Sequence, residues 1–386
     1  MSYTPTRTNP KTLNPINPQT TPSSLSAGPI TRFDGLAADA PPRSLRARIP
    51  VLFNPFLRLL LFLVITVLMA VLVVLPLILL APPAISGNRS VMAGVQIVVT
   101  LLAYLVWVLL IERRRPPVEL APRRALGLLW GLLAGAVVFA VVFAVIVALG
   151  AYQIEGTNSP DWGEWWRMVL AVGAGAGIAE ELLFRGVLYR ITEELLGTWG
   201  AVVVSGLVFG IVHISNPDAT WWGAIAIGLE AGLLLGVLYA WSRSLWLMIG
   251  FHAAWNITQG PLLGVIVSGT GEVDGLVKVT PQGSDLISGG RFGAEASVVA
   301  VLLLVALAVA LGVRLARTGG VVQPMWVRRS RQKRAIASGS AGGGSGVAEG
   351  VGKGVGEQDS ALDGQHRPGD PGGLVAGQEQ QRIRDV

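Results

Sequence analysis

Residues 59–80 read LLLFLVITVLMAVLVVLPLILL, a run without a single charged residue. At roughly 1.5 Å per residue, a helix of this length covers a hydrocarbon core of about 30 Å. The run is longer than the apolar part of a signal peptide, and polar sequence rather than a short basic leader precedes it. We therefore read it as a membrane span kept in the mature protein.

The pattern recurs along the 386 residues, of which 52% are hydrophobic and 14% charged. That balance points to a lipid solvent rather than to two or three soluble domains. Candidate spans fall at 56–80, 91–111, 126–149, 167–192, 199–216, 221–241, 245–267 and 293–315. The expected fold is all-α, a polytopic membrane bundle of about eight transmembrane helices. Residues 1–50, rich in Pro, Thr, Ser and Asn, bury too little apolar surface to offset ordering and are expected to be disordered. N-terminal membrane helices follow over 51–150, a membrane core over 165–268, and a loop with the last span over 269–316. A tail over 317–386 is basic at first and then Gly/Ser-rich, with a linker-like run at 338–354.

Cysteine is absent, which excludes disulfides, thiolate metal sites and a cysteine nucleophile. The net charge of +6 does not indicate nucleic acid, because the arginines sit beside apolar runs, where topology explains them. Arg43, Arg46, Arg48 and Arg58 precede the first span, Arg113, Arg114, Arg115, Arg123 and Arg124 separate the second from the third, and Arg243 separates the sixth from the seventh. Arg314, Arg317, Arg328, Arg329, Arg331, Lys333 and Arg334 follow the last. The intervening loops carry Glu155, Asp161, Glu164 and Asp218 instead. With eight spans every basic cluster lies on one side, so both termini are expected in the cytoplasm. Trp162, Trp165, Trp166, Trp221 and Trp222 then lie at the outer interface, where indoles anchor helices.

Charge inside hydrocarbon costs on the order of 2.5 to 3.5 kcal/mol per residue even on lenient scales. The ionisable residues within the spans therefore need an explanation. The fourth span contains Glu180, Glu181 and Arg185, the fifth His213, and the seventh His252 with Asn256. Glu181 and Arg185 are one turn apart and can pair on one face, leaving Glu180 turned about 100° away. Phe209 with His213, and His252 with Asn256, likewise share faces. Such groups can be polar links between helices, or they can converge on one water-filled cavity. Glu230 in the sixth span is expected to be protonated or bonded to a neighbouring helix. For His213 to reach the level of Glu180, the chain around 196–200 must be buried below the membrane surface.

Glu180-Glu181-x-x-x-Arg185, Phe209-x-x-x-His213 and His252-x-x-x-Asn256, in this order on successive apolar segments, resemble the CAAX protease and bacteriocin-processing group of intramembrane endopeptidases. The resemblance covers roughly 165–268. It implies hydrolysis of a peptide bond in a membrane-associated or lipidated protein or peptide within the bilayer, in a multi-pass protein of the bacterial plasma membrane. It further implies that Glu180 is the general base, that His213 helps hold the water, and that His252 and Asn256 donate to the oxyanion. Glu181 and Arg185 position these groups. No cofactor is certain. Two histidines and a glutamate equal a catalytic zinc set in number, and a divalent metal would take His213, His252 and Glu180. The chain has no H-E-x-x-H, however, and a ligated Glu180 is not free to act as base, which favours a metal-independent mechanism. A transporter would also place carboxylates and histidines at membrane depth, although no internal repeat of the Glu-Glu-x-x-x-Arg segment occurs. A noncatalytic membrane scaffold would keep the same fold.

The topology is open to test because the chain lacks cysteine. A single cysteine at Asn158 is expected to react with an impermeant probe added outside intact cells, and one at Ser360 to stay unlabelled. The opposite result overturns the orientation.

Overall fold

The computed structural model describes residues 54–82, 89–114 and 117–341. The segment 1–50 and residues 342–386, which include His366 and most of the Gly/Ser-rich run, lie outside the described residues. The chain divides into units 1–333 and 334–386, and the first carries the architecture.

Helix α1 (Pro55–Leu80) opens with Asn54 accepting from the Phe56 N–H at 3.0 Å and Pro55 at its first position. It is followed by α2 (Arg89–Leu105), which runs into a π turn (Val106–Ile111), and by α3 (Leu126–Ala148). After strand β1 (Tyr152–Thr157), Asp161 caps α4 (Trp162–Met168). A π turn (Val169–Gly175), α5 (Ala176–Leu183), a second π turn (Phe184–Tyr189) and α6 (Arg190–Val212) continue the run. Then come α7 (Trp221–Ile227), a π turn (Gly228–Gly232), α8 (Leu233–Ser242), and α9 (Leu245–Ile257) with its π turn (Thr258–Leu262). Strand β2 (Val277–Pro281) pairs antiparallel with β1. The short α10 (Asp285–Ser288), α11 (Val298–Arg317) and α12 (Met325–Ala341) complete the described chain.

The protein is thus a helical bundle with almost no sheet. Large apolar side chains such as Leu63, Leu72, Leu133, Leu207 and Leu302 are more than half exposed, the outward-facing arrangement that a lipid solvent favours. Among the described residues, six helical segments are long and apolar enough to cross a membrane: Pro55–Leu80, Gly94–Ile111, Pro122–Ala148, Trp162–Ser215, Trp221–Ser242 and Val298–Arg317. The expected eight are not reached on this measure, for two reasons. The fourth and fifth expected spans form one helical run that turns back at Gly197 (φ 74°, ψ 179°). The seventh expected span, α9 and its π turn, is interrupted by His252, Asn256, Thr258 and Gln259.

The loops gather at two ends. At one end Arg58 meets Glu112 at 2.7 Å, Arg190 meets Glu112 at 2.6 Å and Arg114 meets Glu119 at 2.6 Å. There too Arg58 pairs with Glu194, Arg124 with the Arg243 carbonyl, and Arg243 Nη2 with Glu193 at 2.8 Å. At the other end the β1–β2 pair adjoins the Asp218 N–H bond to Gly269 and the Asn216 amide bond to the Ser268 carbonyl. These are the two sets of loops that the arginine distribution separates. At the first end, Gly197 and Thr198 in the connection between the two helices are buried within the protein. Between the ends, α3 and α9 cross on glycines: a Cβ on Gly250 would lie 2.3 Å from the Leu128 carbonyl oxygen, and one on Gly135 2.1 Å from that of Phe251. Backbones that close admit no side chain between them.

The ionic end makes stability depend on pH. Burial opposes ionisation of Glu119, but Arg190 and Arg114 outweigh it and hold the carboxyl at about 2, below its ordinary 4.5. Glu112, opposed by burial and favoured by Arg190, Arg58 and Arg114, is also lowered. A lowered carboxyl stabilises fully above its unfolded value and loses that contribution as pH falls toward the folded one. The melting temperature of the detergent-solubilised protein is expected to drop as pH falls from 4.5 toward about 2. Glu119→Gln is expected to melt lower at neutral pH and to show a shallower acid slope.

Candidate active site

Three helices bring polar side chains to one place. Glu180 and Glu181 sit on α5, between two π turns, and Arg185 follows on the second. Phe209 lies near the end of α6, and His213 starts the one-turn 3-10 helix His213–Ser215 after it. His252 and Asn256 share a face of α9, whose start Ser244 caps through the Leu247 N–H.

Glu180 Oε2 lies 3.9 Å from His213 Nε2 and 3.9 Å from His252 Nε2. That oxygen has no hydrogen-bond partner among the described residues, and the Glu180 side chain keeps 21% of its surface exposed. The far side of each ring is fixed. His213 Nδ1 is 2.7 Å from the Phe209 carbonyl, and His252 Nδ1 is 2.9 Å from Glu181 Oε1. A carbonyl only accepts, so His213 Nδ1 carries the proton; an ionised Glu181 imposes the same on His252. Both Nε2 atoms therefore face Glu180 with lone pairs when the rings are neutral.

Behind the histidines, Arg185 Nη1 meets Glu181 Oε1 at 2.9 Å, and neither side chain has exposed surface. Arg185 Nη2 reaches the carbonyls of Ala231 and Gly232 at 3.3 and 3.5 Å. The Phe209 ring stands 4.6 Å from His213, 6.1 Å from His252 and 5.1 Å from the guanidinium carbon, a cation–π contact within a packed group. Asn256 Nδ2 donates to the Val172 carbonyl at 2.9 Å, which occupies one of its two N–H groups. Glu230 is fully buried, and neither carboxyl oxygen has a hydrogen-bond partner among the described residues; the bond to a neighbouring helix that was one of two expectations is not made.

Sequence reasoning missed two residues. Glu295 and Ser268 line a cavity of about 20 Å³ together with His252, Asn256 and Phe209. Glu295 Oε2 accepts from Ser268 Oγ at 2.8 Å and Oε1 accepts from Trp255 Nε1 at 3.2 Å. The volume suits one water molecule. The signal was available, since Glu295 heads an apolar run as Glu230 lies within one. Among the described residues, no group of three or more histidines and carboxylates is arranged to hold a metal ion. The residues that a divalent metal would take are His213, His252 and Glu180, and no step below passes through a metal.

Three polar helix faces of this order and spacing meet at one carboxylate. Residues 162–258 match the family model of type II CAAX prenyl endopeptidases, described as Rce1-like. The Rce1-like segment holds Glu180, Glu181, Arg185, Phe209, His213, His252 and Asn256, and it ends before Ser268 and Glu295. No curated protein and no solved structure matches the chain. At the level of the family, the segment supports a CAAX-type intramembrane protease acting on a membrane-associated protein.

Glu295→Ala leaves the Trp255 indole and the Ser268 hydroxyl and N–H without their acceptor. A buried donor left unpaired costs about 1–3 kcal/mol. Glu295→Ala is therefore expected to melt well below the parent in detergent, whereas Glu272→Gln, at an exposed position outside the cavity, is expected to melt with it.

Proposed function

We propose that the protein is an intramembrane endopeptidase that hydrolyses a peptide bond in a membrane-associated or lipidated protein or peptide, with Glu180 as general base. The observation that carries this reading is the equal 3.9 Å separation of Glu180 Oε2 from two histidine Nε2 atoms. It is too long for a direct hydrogen bond and suits a water held between them.

In this reading the water donates one hydrogen to Glu180 and another to the His213 lone pair, which aims its oxygen at the scissile carbonyl. Glu180 takes the proton as the water oxygen bonds to the carbonyl carbon. The carbonyl oxygen becomes an oxyanion, which receives the free N–H of Asn256 and an N–H from His252. Donation from His252 Nε2 requires the imidazolium form, for which Glu181 is the counter-ion on Nδ1. When the tetrahedral intermediate collapses, the C–N bond breaks, Glu180 returns its proton to the leaving amine, and a carboxylic acid and an amine depart, the acid then passing its proton to the amine or to water. Glu181 and Arg185 touch no reacting atom and act by fixing His252. The basic end of the bundle faces the cytoplasm of a bacterial cell in the same reading.

The two adjacent glutamates then differ in what their loss does. Glu180→Gln keeps size and hydrogen bonding, so it is expected to fold and to lose at least ~10²-fold in peptidase rate, the low end for general base catalysis. Removal of the Glu181 charge strands the buried Arg185, a loss of about 3–5 kcal/mol in soluble precedents. Glu181→Gln is therefore expected to lose melting temperature along with rate, and Glu181→Leu with Arg185→Met together to regain part of the stability. Rates on a panel of lipidated and unlipidated peptides in liposomes, beside melting temperatures, check both. An active Glu180→Gln beside a well-folded but inactive Glu181→Gln reverses the two roles, and wild-type rates in every variant remove the protease reading.

A further inference from the structure

The chain beyond α11 lies outside the Rce1-like segment and takes no part in the proposed chemistry. Yet residues 321–324 cross the turn at Gly197. The Thr198 N–H donates to the Val322 carbonyl at 3.0 Å, and the Val322 N–H donates to Thr198 Oγ1 at 2.8 Å. A Cβ on Gly197 would lie 2.6 Å from the Val322 oxygen, so the strap fits only over glycine. Arg328 Nη2 then donates to the Glu194 carbonyl at 2.6 Å. The start of α12 is thereby fastened to the ionic end of the bundle, beside the surface of the bilayer.

From that anchor α12 presents cations without counter-ions. Arg328, Arg329, Arg331 and Lys333 are exposed within six residues, and Met325–Ala341 contains no acidic residue. Among the described residues no carboxylate pairs with Arg329, Arg331 or Lys333, whereas Arg58, Arg114, Arg190 and Arg243 at the same end are each met by one. Trp326, 55% exposed, adjoins the cluster.

We infer that residues 326–333 form a docking surface for anionic lipid headgroups of the membrane that holds the bundle. Three features select a lipid as the occupant. The seven residues 318–324 between α11 and α12 reach at most about 25 Å when extended, so the cluster stays at the surface of the bilayer. Headgroup phosphates supply the negative charge that the cations lack, within a Debye length of the surface. An exposed indole next to a basic run is suited to the level of the headgroups. Because the strap leading into α12 is bonded to Thr198, lipid held at this surface also steadies the turn between the helices that carry Glu180 and His213.

The test uses the full chain and is independent of peptidase activity. The protein has no cysteine, so Ser330→Cys carries one environment-sensitive fluorophore. It is reconstituted in nanodiscs of phosphatidylcholine alone or mixed with phosphatidylglycerol. Blue-shifted emission and weaker acrylamide quenching are expected in the anionic discs, both reversed by high salt. Both effects are expected to vanish when Arg329→Gln, Arg331→Gln and Lys333→Gln are combined. The parent is also expected to melt higher in anionic than in neutral discs, and the triple variant to melt alike in both. Melting of the triple variant with the parent in neutral discs shows that it folds, since the three side chains touch no described partner. The inference is overturned if emission and quenching are the same in both lipids, or if the triple variant behaves as the parent in anionic discs. A response to soluble RNA without a response to phosphatidylglycerol overturns it as well.

Discussion

A guanidinium with no exposed surface must find its hydrogen-bond acceptors within the protein, and Arg185 finds them on two other stretches of helix. Glu181 answers its charge from one turn earlier, while the carbonyls of Ala231 and Gly232 take its other nitrogen. Because Glu181 Oε1 also accepts from His252 Nδ1, the same pair fixes a ring on α9. The guanidinium carbon lies over the ring of Phe209, which adjoins both histidines. One buried cation thus sets the relation of the α5, α6, π-turn and α9 segments around Glu180. In a low dielectric such a pair is costly to break from one side, which ties the geometry of the site to the integrity of the fold.

The π turns serve the same end. A wider turn leaves a carbonyl without its helical partner, and polar side chains take up what three of them release. Val172 receives the Asn256 amide, Gly186 receives Arg190 Nε at 2.7 Å, and Ala231 and Gly232 receive Arg185. Two of these donors are site residues, and the third also pairs with Glu112 in the ionic network. Local loss of helical regularity is therefore converted into cross-links that orient the site and connect it to the loops.

Those loops close the bundle in two chemical styles. One end is held by carboxylates and arginines, largely buried, and is completed by the strap over Gly197. The other is held by backbone bonds, the β1–β2 pair and indole contacts such as Trp165 to the Pro261 carbonyl and Trp222 to the Ala296 carbonyl. Glu295 belongs to this second end yet lines the cavity beside His252 and Asn256. The packing between the ends relies on glycine, because two helices without a hydrophobic drive to associate gain from close backbone contact.

The sequence by itself determined the lipid solvent, the helical class and which polar side chains share a helix face. Uncharged runs near twenty residues can satisfy their backbone in lipid only as helices, and a one-turn spacing fixes which of Glu181, Arg185, His252 and Asn256 share a face. It led only to the expectation of a buried connection near 196–200, without naming Gly197 as the turn. Only the tertiary structure decided that spans 167–192 and 199–216 form one run folded back at Gly197, that both histidines approach Glu180 equally, and that Asn256 is already half engaged by Val172. It alone brought Glu295 and Ser268 to the site from beyond the matched segment and left the Glu230 carboxyl oxygens without a hydrogen-bond partner among the described residues. The physical reason is range: helical periodicity orders groups within a few turns, whereas the distance between helices depends on which glycines, freed carbonyls and buried charges meet after packing.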